Sequence, residues 1–119
     1  KDLQELLPSI DILITDYSSV SYDFALLDKP IIYYSYDLDD YVKLSRNLYA
    51  NYYEEFPGPF AKNESELFNN IISITDFNNF DKEYQMSYKK FKRKFNVFVD
   101  EKSCERVYDY IINNLWMYC

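Results

Sequence analysis

The sequence predicts an α/β fold with few parallel strands flanked by helices and a helix-rich C-terminus. Two short apolar runs with a helical stretch between them predict a βαβ core over residues 10–35. From Asn63 onward, apolar residues recur at helical spacing and predict a helical remainder over residues 63–119. Two strands are too few for a free-standing parallel sheet, which needs cover on both faces and usually four or more strands. Residues 1–119 are therefore expected to form a single fragment, the C-terminal part of a larger α/β domain.

Residues 2–7 read as the end of a helix stopped by Pro8, because proline lacks the N–H and restricts the residue before it. Residues 10–15 (IDILIT) read as a buried strand. Val20, Phe24 and Leu27 then recur at helical spacing, with Ser18 or Ser19 as a natural N-cap. Residues 30–34 (PIIYY) read as a second buried strand, entered through a proline at its first position. A unit this compact joins parallel strands. Residues 37–44 read as a short helix or turn, and residues 45–61 as irregular, with a rigid bend at Pro57-Gly58-Pro59. Asn63 followed by Glu66 is a capping arrangement for a helix with Leu67, Ile71 and Ile74 on one face. After a loop at residues 76–79, residues 81–94 read as a charged helix that buries Tyr84, Tyr88, Phe91 and Phe95. Ser103 caps the final helix, whose apolar stripe is Val107, Tyr110, Ile111 and Leu115.

Composition excludes several chemistries. The chain has 119 residues, no histidine and one glycine, Gly58. Without histidine it holds no Ser-His-Asp triad, no His-ligated zinc and no His acid or base. With one glycine it holds neither a GxGxxG dinucleotide loop nor a Walker P-loop. No apolar run reaches the roughly 18 residues that a membrane span needs. The formal charge is −7, divided as −10 over residues 1–88 and +3 over residues 89–119. An acidic body argues against a nucleic-acid partner. The basic run Lys89, Lys90, Lys92, Arg93 and Lys94 reads either as a solvated helix face or as a contact for acidic lipid or another polyanion. Cys104 and Cys119 do not make a disulfide framework, and reduced thiols of a cytosolic protein are expected.

The stretch with chemistry in it is ITDYSSV, residues 14–20. It follows a parallel strand at its carboxyl end, where open α/β sheets place ligands. Ser18 and Ser19 stand at a helix N-terminus, whose amides and dipole favour an anion such as phosphate. The simpler reading is that Ser18 only caps the helix and Asp16 only ends the strand. Arg46 is suited to a phosphate or carboxylate, or equally to a surface ion pair with Asp37, Asp39 or Asp40. Asp39 and Asp40 are adjacent and point apart on a helix, so the acidic trio reads as solvated and not as a metal site; Glu54-Glu55 is ambiguous in the same way. Neither a metal nor a cofactor is called for.

Taken in order, DILITDYSSVSYDFALLDKPIIYYSYDLDDY, Arg46, YYEEFPGPF, ESEL and SCERVYDYI resemble the C-terminal end of the CDP-glycerol glycerophosphotransferase family, the teichoic-acid polymerases and primases. The resemblance runs from Leu3 to Ile112, with asparagine at position 47 and Glu101 where the family usually has glycine. It implies a Rossmann-like half of a GT-B fold that holds the donor nucleotide. Ser18 and Ser19 would grip the donor pyrophosphate, Asp16 would shape the loop or contact the donor, and Arg46 would neutralise phosphate charge. The implied reaction moves glycerol phosphate, or a related polyol phosphate, from a CDP-linked donor to a cell-surface polymer, teichoic acid or capsule. The implied partners are a CDP-glycerol or similar CDP-polyol donor, a polyol-phosphate acceptor polymer and the membrane surface. The implied location is cytoplasmic, peripheral at the inner face of the bacterial membrane. The catalytic histidines of the family have no counterpart here and are expected upstream, so no catalytic residue is assigned.

Two alternatives stay open from sequence: another GT-B glycosyltransferase that uses a nucleotide sugar, and a non-catalytic interaction module. A phosphoacceptor receiver domain fits poorly, because Lys29-Pro30 follows Asp16 too closely and precedes the very next strand.

Overall fold

A three-stranded parallel sheet in the order β1-β2-β3 organises the chain, with β1 at Leu13–Thr15, β2 at Ile31–Tyr34 and β3 at Phe60–Ala61. This computed structural model describes residues 2–44, 52–75 and 77–115. Seven α-helices are seen among them: α1 Leu3–Leu6, α2 Val20–Phe24, α3 Leu38–Leu44, α4 Tyr52–Glu55, α5 Glu64–Thr75, α6 Phe77–Phe95 and α7 Ser103–Leu115. Short 3₁₀ turns extend α1 over Leu7–Ser9 and α2 over Ala25–Leu27. The fold class read from sequence, parallel strands flanked by helices with a helical C-terminus, is the one observed.

The βαβ core forms as its apolar pattern predicts. Leu13 pairs with Ile31, Ile14 with Ile32 and Thr15 with Tyr33. Central β2 loses all contact with water at Ile31, Ile32 and Tyr33, which explains why it reads as a continuous apolar run and not as an alternation. The strand predicted over residues 10–15 pairs only from Leu13, because the 3₁₀ turn continues through Pro8 to Ser9. Proline is tolerated there at the start of the turn, where its missing N–H would have had no partner. Lys29 fastens this entry: its Nζ donates to the carbonyls of Pro8 and Ile10, each at 2.8 Å.

Two expectations are corrected. The stretch 52–61, read as irregular, contains both α4 and β3. The amide of Tyr33 donates to Pro59 O at 2.9 Å and that of Ser35 to Ala61 O at 3.0 Å, so the third strand is two residues long and opens directly from the Pro-Gly-Pro bend. A strand this short has no periodicity to read. The loop expected at residues 76–79 is also largely absent, since α6 begins at Phe77.

The capping box at α5 is as read: Glu66 N donates to Asn63 Oδ1 at 2.9 Å, and the Glu66 carboxylate accepts from Asn63 Nδ2 and Lys62 N. α6 closes the core with Tyr88 and Phe91 buried and Tyr84 and Phe95 half-buried, the face expected. Phe91 stacks on Tyr22 at 5.3 Å and tilts against Phe56 at 5.5 Å, so aromatic rings fill the space between helix and sheet.

α7 behaves differently. None of its residues is buried, and Val107, Tyr110, Ile111 and Leu115 are all exposed. Its start is held by Asp100, whose carboxylate accepts from Lys102 N at 2.9 Å and from the two terminal nitrogens of the Arg106 guanidinium. Ser103 is thus the first helical residue and not the cap.

Candidate functional site

Because the sheet is parallel, the carboxyl ends of its strands lie along one edge, and each strand delivers a polar segment there. β1 leads into Asp16, Tyr17, Ser18 and Ser19; β2 into Ser35, Tyr36 and Asp37; β3 into Lys62 and Asn63.

The first segment is a built loop. The Asp16 carboxylate turns back and accepts from Ser18 N at 2.8 Å, an Asx-turn that fixes the chain before the helix. Ser18 Oγ approaches Val20 N at 3.5 Å, the outer limit of a hydrogen bond. The Ser18 carbonyl accepts from Ser21 Oγ at 3.1 Å. Ser19 holds the N-cap position, yet its side chain makes no cap hydrogen bond. Asp16, Ser18 and Ser19 are exposed. Ser18 therefore supplies the weak cap, and Ser19 presents a hydroxyl to solvent.

Beside the loop, Tyr17 and Tyr41 stack with ring centroids 4.1 Å apart. Partial desolvation raises the Tyr17 pKa, and the carboxylates of Asp37 and Asp16 raise it further, so the phenol stays protonated at neutral pH. Two further hydroxyls, Ser35 Oγ and Tyr52 Oη, are buried without a well-formed hydrogen-bond partner among the described residues. They are close enough to influence each other: burial pushes the Tyr52 pKa up strongly, and the Ser35 side chain pulls against that rise. Sequence reasoning passed over Tyr17, Tyr41, Ser35 and Tyr52, because tyrosine is so abundant here that no single one stands out.

Arg46 lies outside the described residues, so the structure brings together Asp16, Ser18 and Ser19 of the four site residues read from sequence. Asp39 and Asp40 are exposed, as solvated acids should be, and Glu55 is taken by Lys94 at 2.6 Å. Among the described residues no group of three His, Cys, Asp or Glu side chains is placed to hold a metal ion. Among the described residues Lys62 is a cation at this edge, its Nζ 5.3 Å from the centre of the Tyr53 ring. Lys29 is tied to the carbonyls that precede β1, at the opposite end from the Asp16 loop, which disposes of the receiver reading. Cys104 is a free, exposed thiol, and Cys119 lies outside the described residues.

The model of CDP-glycerol:poly(glycerophosphate) glycerophosphotransferases matches residues 1–113. The chain belongs to that family. It is 39% identical over 115 residues to the teichoic acid poly(ribitol-phosphate) polymerase of Bacillus spizizenii, covering 94% of this chain and 17% of that protein. It is 36% identical over 107 residues to the teichoic acid glycerol-phosphate transferase of Staphylococcus aureus, covering 90% of this chain and 27% of the relative. The wall teichoic acid polymerase TagF, in a histidine-to-asparagine variant soaked with CDPG, superposes with a TM-score of 0.75 at 30% identity, over 99% of this chain and 29% of that one. The chain thus spans less than a third of each of these relatives. Its fold is the Rossmann-like (GT-B) type implied by the family resemblance.

Proposed function

We propose that residues 1–119 are part of the C-terminal donor-binding domain of a transferase that moves glycerol phosphate, or a related polyol phosphate, from a CDP-linked donor to a cell-surface polymer. The observation that carries this reading is the Asp16-anchored loop, which holds Ser18 and Ser19 exposed at the carboxyl end of β1 in a chain of this family. The donor diphosphate would accept hydrogen bonds from the Ser19 and Ser18 hydroxyls at the α2 start. Serine replaces the usual glycine cradle because the ligand meets the helix end-on. Arg46 and Lys62 would supply positive charge to an edge that otherwise carries Asp16 and Asp37.

In the reaction, a hydroxyl of the acceptor polymer attacks the phosphorus that bears the glycerol. A new phosphodiester forms, the diphosphate bridge breaks and CMP leaves with the electron pair. The part played by these residues is to hold the donor and offset charge that builds on the departing CMP. The chain has no histidine, so a histidine base of the kind the family uses would come from another part of the intact enzyme. The intact enzyme would work in the cytoplasm, peripheral at the inner face of the bacterial membrane; no described helix is long and apolar enough to cross one.

The test is CMP release from CDP-glycerol by the intact parent enzyme. The double variant Ser18→Ala with Ser19→Ala should raise KM for the donor with the fold unchanged. Turnover of a UDP- or GDP-sugar, with CDP-glycerol ignored, would overturn the assignment in favour of another GT-B glycosyltransferase. Unchanged donor KM in the double variant would remove the two serines from the site.

A further inference from the structure

Tyr17 is the middle residue of the turn that Asp16 closes, because the Asp16 carboxylate reaches across it to accept from Ser18 N at 2.8 Å. An exposed hydrogen bond is a modest hold. The Tyr17 ring supplies a second one: it is half-buried, packs against the hydrophobic core and stacks on Tyr41, with ring centroids 4.1 Å apart and planes at 25°. A stacked aromatic pair adds an attraction of its own to the burial of its rings. Tyr41 is itself fixed. β2 ends at Tyr34 and α3 closes at once, with Leu38 N donating to Ser35 O at 3.4 Å and Tyr41 N to Asp37 O at 2.8 Å. Leu38 is buried in the core, and Tyr41, three residues on, shares its helix face. The ring pair therefore ties the segment after β1, which carries Ser18 and Ser19, to the segment after β2.

We propose that Tyr41 is a positioning residue for the donor: through its stack on Tyr17 it sets where Ser18 and Ser19 stand before the donor diphosphate arrives. The wiring of the loop itself holds the two hydroxyls weakly. Ser18 Oγ meets Val20 N only at 3.5 Å, and the Ser19 side chain makes no cap hydrogen bond. Groups that must be ordered as the ligand binds lower its affinity, whereas groups already in place do not. The order has to come from outside the loop, and the Tyr41 ring is placed to give it. Its contact with Tyr17 is between ring faces, so the aromatic ring and not the phenol oxygen carries the effect. The inference rests on the donor-binding reading above and adds a residue of α3, outside the ITDYSSV stretch, that serves the same site.

The test is donor saturation kinetics of the intact parent enzyme, read as CMP release from CDP-glycerol. Tyr41→Leu keeps apolar bulk and removes the ring. It should raise donor KM about twofold to tenfold, the range that one aromatic pair spans, and leave kcat within about twofold. Tyr41→Phe restores the stack and should restore the wild-type KM. Tyr17→Leu combined with Tyr41→Leu should raise KM no further than Tyr17→Leu alone, the non-additivity of two residues that act through one contact. Hydrogen exchange should speed up over residues 16–19 in Tyr41→Leu, while residues 31–34 stay protected. Unchanged KM in Tyr41→Leu, with Ser18→Ala and Ser19→Ala together still raising it, would overturn the positioning role and leave the donor site standing. Unchanged KM in both variants would overturn the site and the positioning role together. Equal losses in Tyr41→Phe and Tyr41→Leu would move the effect to the phenol oxygen and overturn the stack. Loss of protection over residues 31–34 as well would make Tyr41 a packing residue of the core, which also overturns the proposal.

Discussion

The backbone amide of Ile31 donates to the phenol oxygen of Tyr88 at 2.7 Å, across 57 residues of sequence. Ile31 opens the central strand directly after Pro30, and Tyr88 sits mid-way along α6, so one side chain satisfies the strand entry and docks the helix. Both residues are buried. Burial pushes the Tyr88 pKa far above that of a free phenol, which keeps the hydroxyl neutral across the accessible pH range.

Removal of that oxygen leaves a buried N–H without a partner. Tyr88→Phe should therefore cost about 1–3 kcal/mol, the penalty for an unsatisfied buried donor, although it keeps the ring and its packing. Urea denaturation of the chain measures this directly. A loss below about 0.5 kcal/mol would mean that water reaches Ile31 N in solution.

Gly58 lies at φ +64°, and a Cβ built there would approach the Phe60 ring at 3.3 Å. Gly58→Ala should destabilise the chain by about 1–2 kcal/mol from backbone strain alone. The loss should concentrate in β3, seen as faster hydrogen exchange at the amides of Tyr33 and Ser35, which β3 and its preceding proline accept.

Asp16 is exposed, so its removal should affect the loop more than the fold. Asp16→Ala releases Ser18 N and should raise donor KM in the parent enzyme about twofold to tenfold, the worth of one net hydrogen bond. The melting temperature should shift by less than a few degrees. A large loss of stability with unchanged KM would make Asp16 a purely structural residue.

The Asp100 carboxyl is held below its ordinary range, chiefly by its hydrogen bond to Arg106 and then by the Lys102 amide. A depressed folded-state pKa contributes stability that is present above the ordinary aspartate pKa and is lost as pH falls through the lowered value. The start of α7 should therefore fray on acidification below about pH 4, visible as loss of amide dispersion at residues 100–106 by NMR. Asp100→Asn should show a frayed α7 start already at neutral pH and abolish that pH response.

Much of the architecture was legible because it rests on local chemistry. The capping pair Asn63 and Glu66, the buried face Tyr84–Tyr88–Phe91–Phe95 and the apolar runs of β1 and β2 each announce themselves within a few residues. The third strand was not legible, because its two residues are fixed by carbonyl partners on β2 and not by any pattern of their own. The Asp16 loop was read in composition but not in wiring: the Asp16 carboxylate accepts from Ser18 N, a contact that residue types alone do not show.

The sequence by itself determined which mechanisms this chain cannot run, where β1, β2 and the main helices lie, and which family it resembles. Those properties follow from residue inventory and local periodicity, which folding does not alter. Only the tertiary structure decided which groups share the sheet edge, that Tyr17 stacks on Tyr41 beside the Ser18–Ser19 loop, and that Tyr88 closes the strand entry. Among the described residues it also gave Lys92 and Lys94 of the basic run ion-pair partners, Asp28 and Glu55, and gave Lys89, Lys90 and Arg93 none. Asp28 and Glu55 are far away in the chain, and such non-local pairings leave no periodic trace in sequence.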